Sequence, residues 1–436
     1  MDFLIDNLAI IRNRWPLIAA QLELAHYDPS QVELIKDIEL SLVFEQIQVA
    51  SSFDQVAEAE LQISHLPKGT SSVTLYGTGL GQLQSQLVQH KNLTSINVFI
   101  FNLALFKASL RFFEQHVWLE DSRVNLQLPN QGSRVSQPFI ALPAELVLAT
   151  ELAAPLRDRV CLALDDQFIS QSKGLENLEL QKKIKNNIDY IVNDNDISDL
   201  FLTTEKTDFI ICGAGPTLAE HIYFLKKNST RDKYTIVAVD AAVKPLFDDG
   251  IIPDIVVSID PVAKKLLDVL PAEKYNNIPL IYFPVVSSEL LDFWQGPRYI
   301  AYSLGKLYDE INKKHPKGRL YCAGSVIHPA IDLSVKMGAK KVLLLGADFS
   351  FPEGKSHTYW QEKESKDAIH LATDKTTHWV LNGFNEKVPT LLNYRGYLRD
   401  LEDYIALVKH VKFFNGSKKG AFIMGTTSWS NSNEES

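Results

Sequence analysis

An alternation dominates this sequence and leaves few folds open to it. From residue 207 onward short apolar runs recur with helical stretches between them: DFIIC (208–212), TIVAVD (235–240), DIVVSI (254–259), PLIYF (279–283), RYIAY (298–302) and KKVLLLG (340–346). Each run has the length of a strand and is too uniformly apolar to leave one face in water. Strands buried on both faces and joined through helices are the pattern of a parallel sheet wound in both directions. A shorter alternation precedes it. SSVTLYGTGLGQLQSQL (71–87) reads as strand, glycine turn and helix, and NLTSINVFIFNLALFKASLRFF (92–113) as strand then helix. DSRVNLQL (121–128) and FIALPAELVL (139–148) add strand-like segments. The predicted class is α/β, with two Rossmann-like doubly wound domains.

At 436 residues the chain is too long for one ordinary core. The division expected is a helical segment over 1–65, from Leu4, Leu8, Ile11 and Trp15 at helical spacing, then a Rossmann domain over 66–165. A connecting helix over 166–206 carries Ile184, Ile188 and Ile191, and a larger domain spans 207–425. That domain closes on a helix near 388–408 and a strand VKFFN (411–415), before a polar, disordered tail at 426–436.

Composition excludes several function classes. The formal net charge of −9 argues against a global attraction to nucleic acid or an anionic membrane. Three cysteines without a C-x-x-C pair suggest neither a disulfide framework nor structural zinc, and Cys212 reads as a small core residue. The first residues, MDFLIDNLAIIRNRWP, lack a basic n-region and a cleavage site, so no signal peptide is expected. No apolar stretch reaches the roughly 18 residues of a membrane span, and the expected location is the cytoplasm.

The strongest chemical signal is DFIICGAGPTLAEHI (208–222), where a strand runs through Gly213, Ala214, Gly215, Pro216 and Thr217 into a helix. Glycines let the backbone turn sharply and approach a ligand, and a helix start offers N–H groups to a phosphate. A ligand-free βα turn is the plainer alternative. The third glycine of a dinucleotide fingerprint is Leu218 here, although Asp240 stands where a ribose-binding acid would. Asp240 and Asp260 end neighbouring strands, at the edge where open α/β sheets bind ligands; helix capping would explain them equally well. Gly324 and Ser325 open a further helix, with Ser325 as its expected N-cap, and His328 reads as a packed surface histidine. The strand 340–346 delivers Asp348 to the same edge. The loop after it carries Glu353, His357 and Tyr359, and His357 could take a proton from an attacking hydroxyl; His378 is less well placed. In the first domain Gly77-Thr78-Gly79-Leu80-Gly81 looks like a methyltransferase glycine turn. The following strand, however, ends on Asn102 rather than a carboxylate, so a degenerate, structural or partner-binding domain is expected there.

Several of these segments resemble one family. GAGPTL, VVSIDP, AGSVIHPAIDLSVKMGAKKVLLLGADFSFPEGKSH and FFNGSKKGAFIMGT are similar to the central domain of the motility-associated factors, the Maf flagellin glycosyltransferases, and VTLYGTGLGQL with NVFIFNLALFKASL resembles their N-terminal domain. The resemblance covers roughly residues 60–425. It implies a GT-A or sialyltransferase-like catalytic domain in a cytoplasmic enzyme; the helix near 388–408 is expected as a short C-terminal helical segment, where larger members carry a long helical domain. It implies transfer of a nonulosonic acid, of the pseudaminic or legionaminic type, from cytidine monophosphate (CMP) to Ser or Thr of flagellin. Thr217 replaces the family's usual serine and keeps its hydroxyl. Ser350 follows Asp348-Phe349 where related sialyltransferases place a tyrosine, which passes the phosphate-facing role to Tyr359 or His357.

On this reading Gly213–Thr217, Gly324 and Ser325 hold the nucleotide, Asp240 and Asp260 grip ribose or sugar, and Asp348 shapes the pocket. His357 acts as base and Tyr359 donates to the departing phosphate. No cofactor beyond the CMP-sugar donor is firmly expected, and a divalent metal stays open. Two rivals stand beside it. One is a Mg²⁺-dependent hydroxymethylpterin pyrophosphokinase, whose family shares the central domain; the other is a non-catalytic flagellin-binding escort.

Overall fold

The computed structural model describes residues 2–130, 132–173, 178–203, 205–260, 276–355 and 378–430. The chain divides into two compact units, Met1–Asp166 and Gln167–Ser436.

In the first unit, helices Leu4–Arg14 and Pro16–Leu24 are followed by three antiparallel strands: β1 (Val32–Lys36), β2 (Leu40–Phe44) and β3 (Ile47–Gln48). The expectation of helix throughout 1–65 is corrected here. Leu42 and Phe44 bury one face of the small sheet against Leu80, Leu105 and Leu148. The β2–β3 turn is made by Glu45 and Gln46, both at positive φ (48° and 68°), the backbone of a tight hairpin. Next come β4 (Ser72–Tyr76), β5 (Ser95–Phe99), β6 (Val124–Gln127) and β7 (Phe139–Ala141). They form an all-parallel sheet in the order β6-β5-β4-β7, the arrangement of a Rossmann half-fold. Of the strand-like stretch 139–148 only β7 is strand, because Pro143 opens a helix over Pro143–Val147.

The second unit is built on a nine-stranded, all-parallel sheet. Its first six strands in sequence are β8 (Asn195–Asp196), β9 (Asp208–Cys212), β10 (Tyr234–Val239), β11 (Ile255–Ser258), β12 (Leu280–Tyr282) and β13 (Arg298–Ile300). Two short pairs lie outside it, β14 (Tyr302–Ser303) with β15 (Arg319–Leu320), and β17 (Trp379–Leu381) with β18 (Lys387–Pro389). Strands β16 (Lys341–Leu345), β19 (Lys412–Asn415) and β20 (Thr427–Ser428) complete the large sheet, in the order β20-β19-β16-β9-β10-β11-β12-β13-β8. All residues of β10 and β11 are buried, as parallel strands covered on both faces must be. The chain winds one way from β9 to β13 and the other from β9 to β16 and β19. The crevice between the carboxyl ends of β9 and β16 is therefore a topological switch point.

Two boundaries differ from expectation. The 166–206 stretch is not one helix: after helices Leu178–Asn186 and Ile188–Asn193 it supplies edge strand β8. The tail is ordered at its start, where β20 pairs with β19 and Trp429 packs on Phe224, ring centroids 4.8 Å apart. Among the described residues no helix is long and apolar enough to cross a membrane.

Candidate functional site

At the switch point the backbones of two turns interlock. Gly213 N–H donates to the Leu345 carbonyl at 2.8 Å and Gly215 N–H to the Gly346 carbonyl at 2.9 Å. A Cβ on Gly213 would stand 2.4 Å from the Gly346 oxygen, and one on Gly346 2.4 Å from the Gly213 oxygen. Neither neighbour is a movable side chain, so only glycine fits at either position.

Asp348 ties the turn from below. It is buried, and its carboxylate accepts from Thr217 N at 2.9 Å and from Thr217 Oγ1 at 2.5 Å. Thr217 Oγ1 also lies 2.8 Å from Ser417 Oγ. Burial pushes the Asp348 carboxyl up to about 6, against the lowering effect of those hydrogen bonds. Asp348 thus holds the Gly213–Thr217 loop in shape. The next residue, Phe349, has φ +45°, an uncommon backbone for a bulky side chain, and its carbonyl accepts from Thr390 Oγ1 at 2.6 Å.

Beside these turns opens a cavity of about 470 Å³. Of the twelve residues picked from the sequence, Gly213, Ala214, Gly215, Asp240, Asp260, Gly324, Ser325 and Asp348 line it. Pro216 and Thr217 lie just behind that wall, in a 3₁₀ turn over Pro216–His221. His357 and Tyr359 lie outside the described residues.

The cavity follows the sheet edge. Asp348, Gly213, Asp240 and Asp260 follow adjacent strands β16, β9, β10 and β11. Parallel strands lie about 4.8 Å apart, so the row is roughly 14 Å long, about the reach of a nucleotide. Asp240 accepts from Ala241 N at 2.7 Å and from Ser258 Oγ at 2.8 Å. Desolvation pushes it up to about 6, with the charge of Asp260 adding to the rise. Asp260 itself is exposed at the rim.

The expected cap at Ser325 is not made. Helix Ile327–Lys336 begins after Val326, with no side-chain cap. The N–H groups of Ala214, Ser325 and Val326, all at the cavity wall, have no hydrogen-bond partner among the described residues. The glycine loop has spent most of its donors on β16, the turn after it and Asp348, so the helix start is the better-supplied seat for an anion. His328 is not on the surface. It is buried, its Nδ1 accepting from Ala323 N at 3.2 Å and its Nε2 donating to the Tyr397 carbonyl at 3.0 Å. Burial lowers its pKa to about 4, so the ring is neutral and braces this helix start against helix Leu392–Leu407. His378 accepts from Arg395 Nη1 at 3.0 Å.

Reading the sequence missed Tyr394 and Tyr397, which bring an aromatic wall to the cavity from that last helix. It also missed Glu145 in the first unit, where the glycine turn is closed from inside. Glu145 is fully buried, and its Oε1 accepts from Thr78 N (2.6 Å), Thr78 Oγ1 (2.9 Å) and Gly79 N (2.7 Å). Gln84 Nε2 and Ser109 Oγ occupy the carbonyls of Thr78 and Gly79. Asn102 is spent as a helix cap, accepting from Ala104 N and Leu105 N. The space beside this turn is about 30 Å³.

Residues 182–354 match the family model described as 6-hydroxymethylpterin diphosphokinase MptE-like, which is less than half of the chain. A curated relative, the 6-hydroxymethyl-7,8-dihydropterin pyrophosphokinase of Methanothermobacter thermautotrophicus, is 25% identical over 157 residues. That match takes in 33% of this chain and spans 58% of the relative's length. Among solved structures, a MAf glycosyltransferase from Magnetospirillum magneticum AMB-1 aligns over 98% of this chain and 74% of its own, at 14% identity and a TM-score of 0.46. A spermidine synthase from Thermotoga maritima aligns over 27% of this chain and 46% of its own, at 11% identity and a TM-score of 0.22.

Proposed function

We propose that this protein is a glycosyltransferase that moves a CMP-activated nonulosonic acid, of the pseudaminic or legionaminic type, onto Ser or Thr of flagellin in a bacterial cytoplasm. The observation that carries the reading is the cavity at the switch point. It sets unpaired N–H groups, two carboxylates at adjacent strand ends and an aromatic wall around a space of nucleotide-sugar size. The ordered motifs of the sequence, which resemble those of the Maf family, supply the donor and acceptor.

In this reading the N–H groups of Ala214, Ser325 and Val326 take the phosphate, held in place by the Gly213–Thr217 turn and Asp348. Asp240 and Asp260 accept from ribose or sugar hydroxyls. The acceptor hydroxyl oxygen attacks the anomeric carbon from the face opposite the phosphate. As that C–O bond forms, the bond to the phosphate oxygen breaks, CMP leaves with the electron pair, and the anomeric configuration inverts. His357 takes the hydroxyl proton, and Tyr359 donates to the departing phosphate. Positioning and charge stabilisation supply most of the rate with so good a leaving group.

The match over residues 182–354 favours a second reading, pyrophosphoryl transfer to a hydroxymethylpterin, with Mg²⁺ held by Asp240 or Asp260. Thermal-shift titration with CMP, cytidine di- and triphosphate, ATP with Mg²⁺, and NAD separates the two. A ligand that binds only the native state raises Tm by mass action. A shift with the cytidine nucleotides, followed by sugar transfer to purified flagellin, is the expected result. A shift with ATP and Mg²⁺ alone moves the assignment to the pterin enzyme. No shift with any nucleotide, together with flagellin binding, leaves a non-catalytic escort.

A further inference from the structure

We propose that Tyr394 and Tyr397 form a stacking wall for the planar heterocycle of a phosphate-bearing ligand. The proposal rests on the reading of this cavity as the ligand site and says which part of the ligand the helix Leu392–Leu407 recognises. That helix lies beyond residue 354, outside the stretch that matches the pterin family.

The two tyrosines are three residues apart and so share one face of the helix. Both line the cavity, with ring centroids 6.3 Å apart, and Phe351 stands behind Tyr394 at 5.7 Å. The Tyr397 ring is seated against Gly324, where a Cβ would come within 2.6 Å of its Cε1. Gly324 has φ +94° as well, so the glycine both makes the turn and leaves room for the ring. His328 fixes the same residue by its carbonyl. Neither tyrosine hydroxyl has a hydrogen-bond partner among the described residues, and both side chains remain part-exposed. The wall is therefore two held aromatic rings without a carboxylate of their own, beside the N–H groups of Ser325 and Val326. A flat ring carried on a phosphate satisfies both features. A pyrimidine nucleotide and a pterin phosphate share that chemistry.

The test uses the full chain with Tyr394→Leu, Tyr397→Leu and the two Phe variants, titrated calorimetrically with CMP, 6-hydroxymethylpterin and ribose 5-phosphate. Loss of a stacked ring should weaken CMP about ten- to a hundredfold in the Leu variants. The Phe variants should bind CMP like the parent, and all four should hold ribose 5-phosphate unchanged. If the parent takes the pterin and not CMP, and the Leu variants lose the pterin, the wall stands and the glycosyltransferase reading falls. The proposal is overturned if the Leu variants lose ribose 5-phosphate as steeply as CMP, if Phe fails like Leu, or if the parent binds neither heterocycle.

Discussion

Replacing Thr217 by valine keeps the shape of the side chain and removes one hydroxyl, so it isolates what holds the cavity's glycine turn. The hydroxyl donates to buried Asp348 at 2.5 Å. A hydrogen bond to a charged group contributes about 1.5–3 kcal/mol. For a unit of this size each kcal/mol shifts Tm by roughly 2–4 °C, so the loss should be about 3–12 °C at pH 8. The effect has a definite pH dependence. Asp348 titrates near 6 in the folded protein, above the ordinary carboxylate range near 4, so the native state holds its proton longer than the unfolded chain. Stability therefore already falls as pH rises from about 4 to 6. Thr217 donates to the charged form, and its removal raises the Asp348 pKa further, extending that fall above pH 6. The valine variant should be most deficient at pH 8 and close to the parent at pH 5. Differential scanning calorimetry at the two pH values measures this, with Thr217→Ser as the variant that restores the hydroxyl. An equal deficit at both pH values, or a deficit under about 0.5 kcal/mol at pH 8, would refute the reasoning.

Glu145→Ala should cost several degrees of Tm in the first unit, because it strands the Thr78 and Gly79 N–H groups, while CMP affinity stays unchanged; loss of CMP binding would show that the two effects are not separable. Asp240→Asn removes a carboxyl whose pKa is raised to about 6, so it should raise Tm at pH 8, leave Tm at pH 4 nearly unchanged, and weaken CMP; a gain that does not grow with pH contradicts the assigned burial penalty. Trp429→Ala should destabilise by about 3–5 kcal/mol in chemical denaturation, as a buried aromatic does, whereas a disordered tail would give nothing measurable.

The strands that build the site were readable because burial on both faces forces an unbroken apolar run, and β9, β10, β11 and β16 all carry one. Shorter edges were not. Strand β8 is two polar residues, Asn195 and Asp196, whose pairing with β13 is set by the neighbour rather than by any pattern of their own. The β1–β3 sheet was hidden because its turn uses Glu45 and Gln46 at positive φ, where the recognisable signal is Asn-Gly. Trp429 is buried through its partners Phe224 and His221, which lie some two hundred residues earlier. The glycines and acids of the cavity could be named from sequence because a strand–turn–helix unit fixes where its turn must lie. Ser325 shows the limit of that inference, since it lines the cavity but does not cap the helix. Tyr394 and Tyr397 have a visible three-residue spacing, but which way a helix faces depends on what it packs against.

The two glycine turns show why one such motif opens on a large cavity and another does not. Both satisfy the sequence pattern, and both spend N–H groups internally. In the first unit the donors go to the Glu145 carboxylate, a side chain that takes the place an acidic ligand group would take, and the remaining space is about 30 Å³. In the second unit the donors of Gly213 and Gly215 go to the backbone of β16 and the turn beyond it. That arrangement leaves the loop only the Ala214 N–H as a free donor but keeps the crevice open, with the Ala214, Ser325 and Val326 donors facing about 470 Å³. The glycines of the second turn thus act chiefly by letting two backbones approach within hydrogen-bond distance, and most of the free donors beside the cavity lie at the neighbouring helix start. A Gly215→Ala variant should accordingly lose its fold at the switch point before it loses any direct ligand contact, because the added Cβ would stand 2.4 Å from Asp348 Oδ2 and 2.7 Å from the Gly346 oxygen.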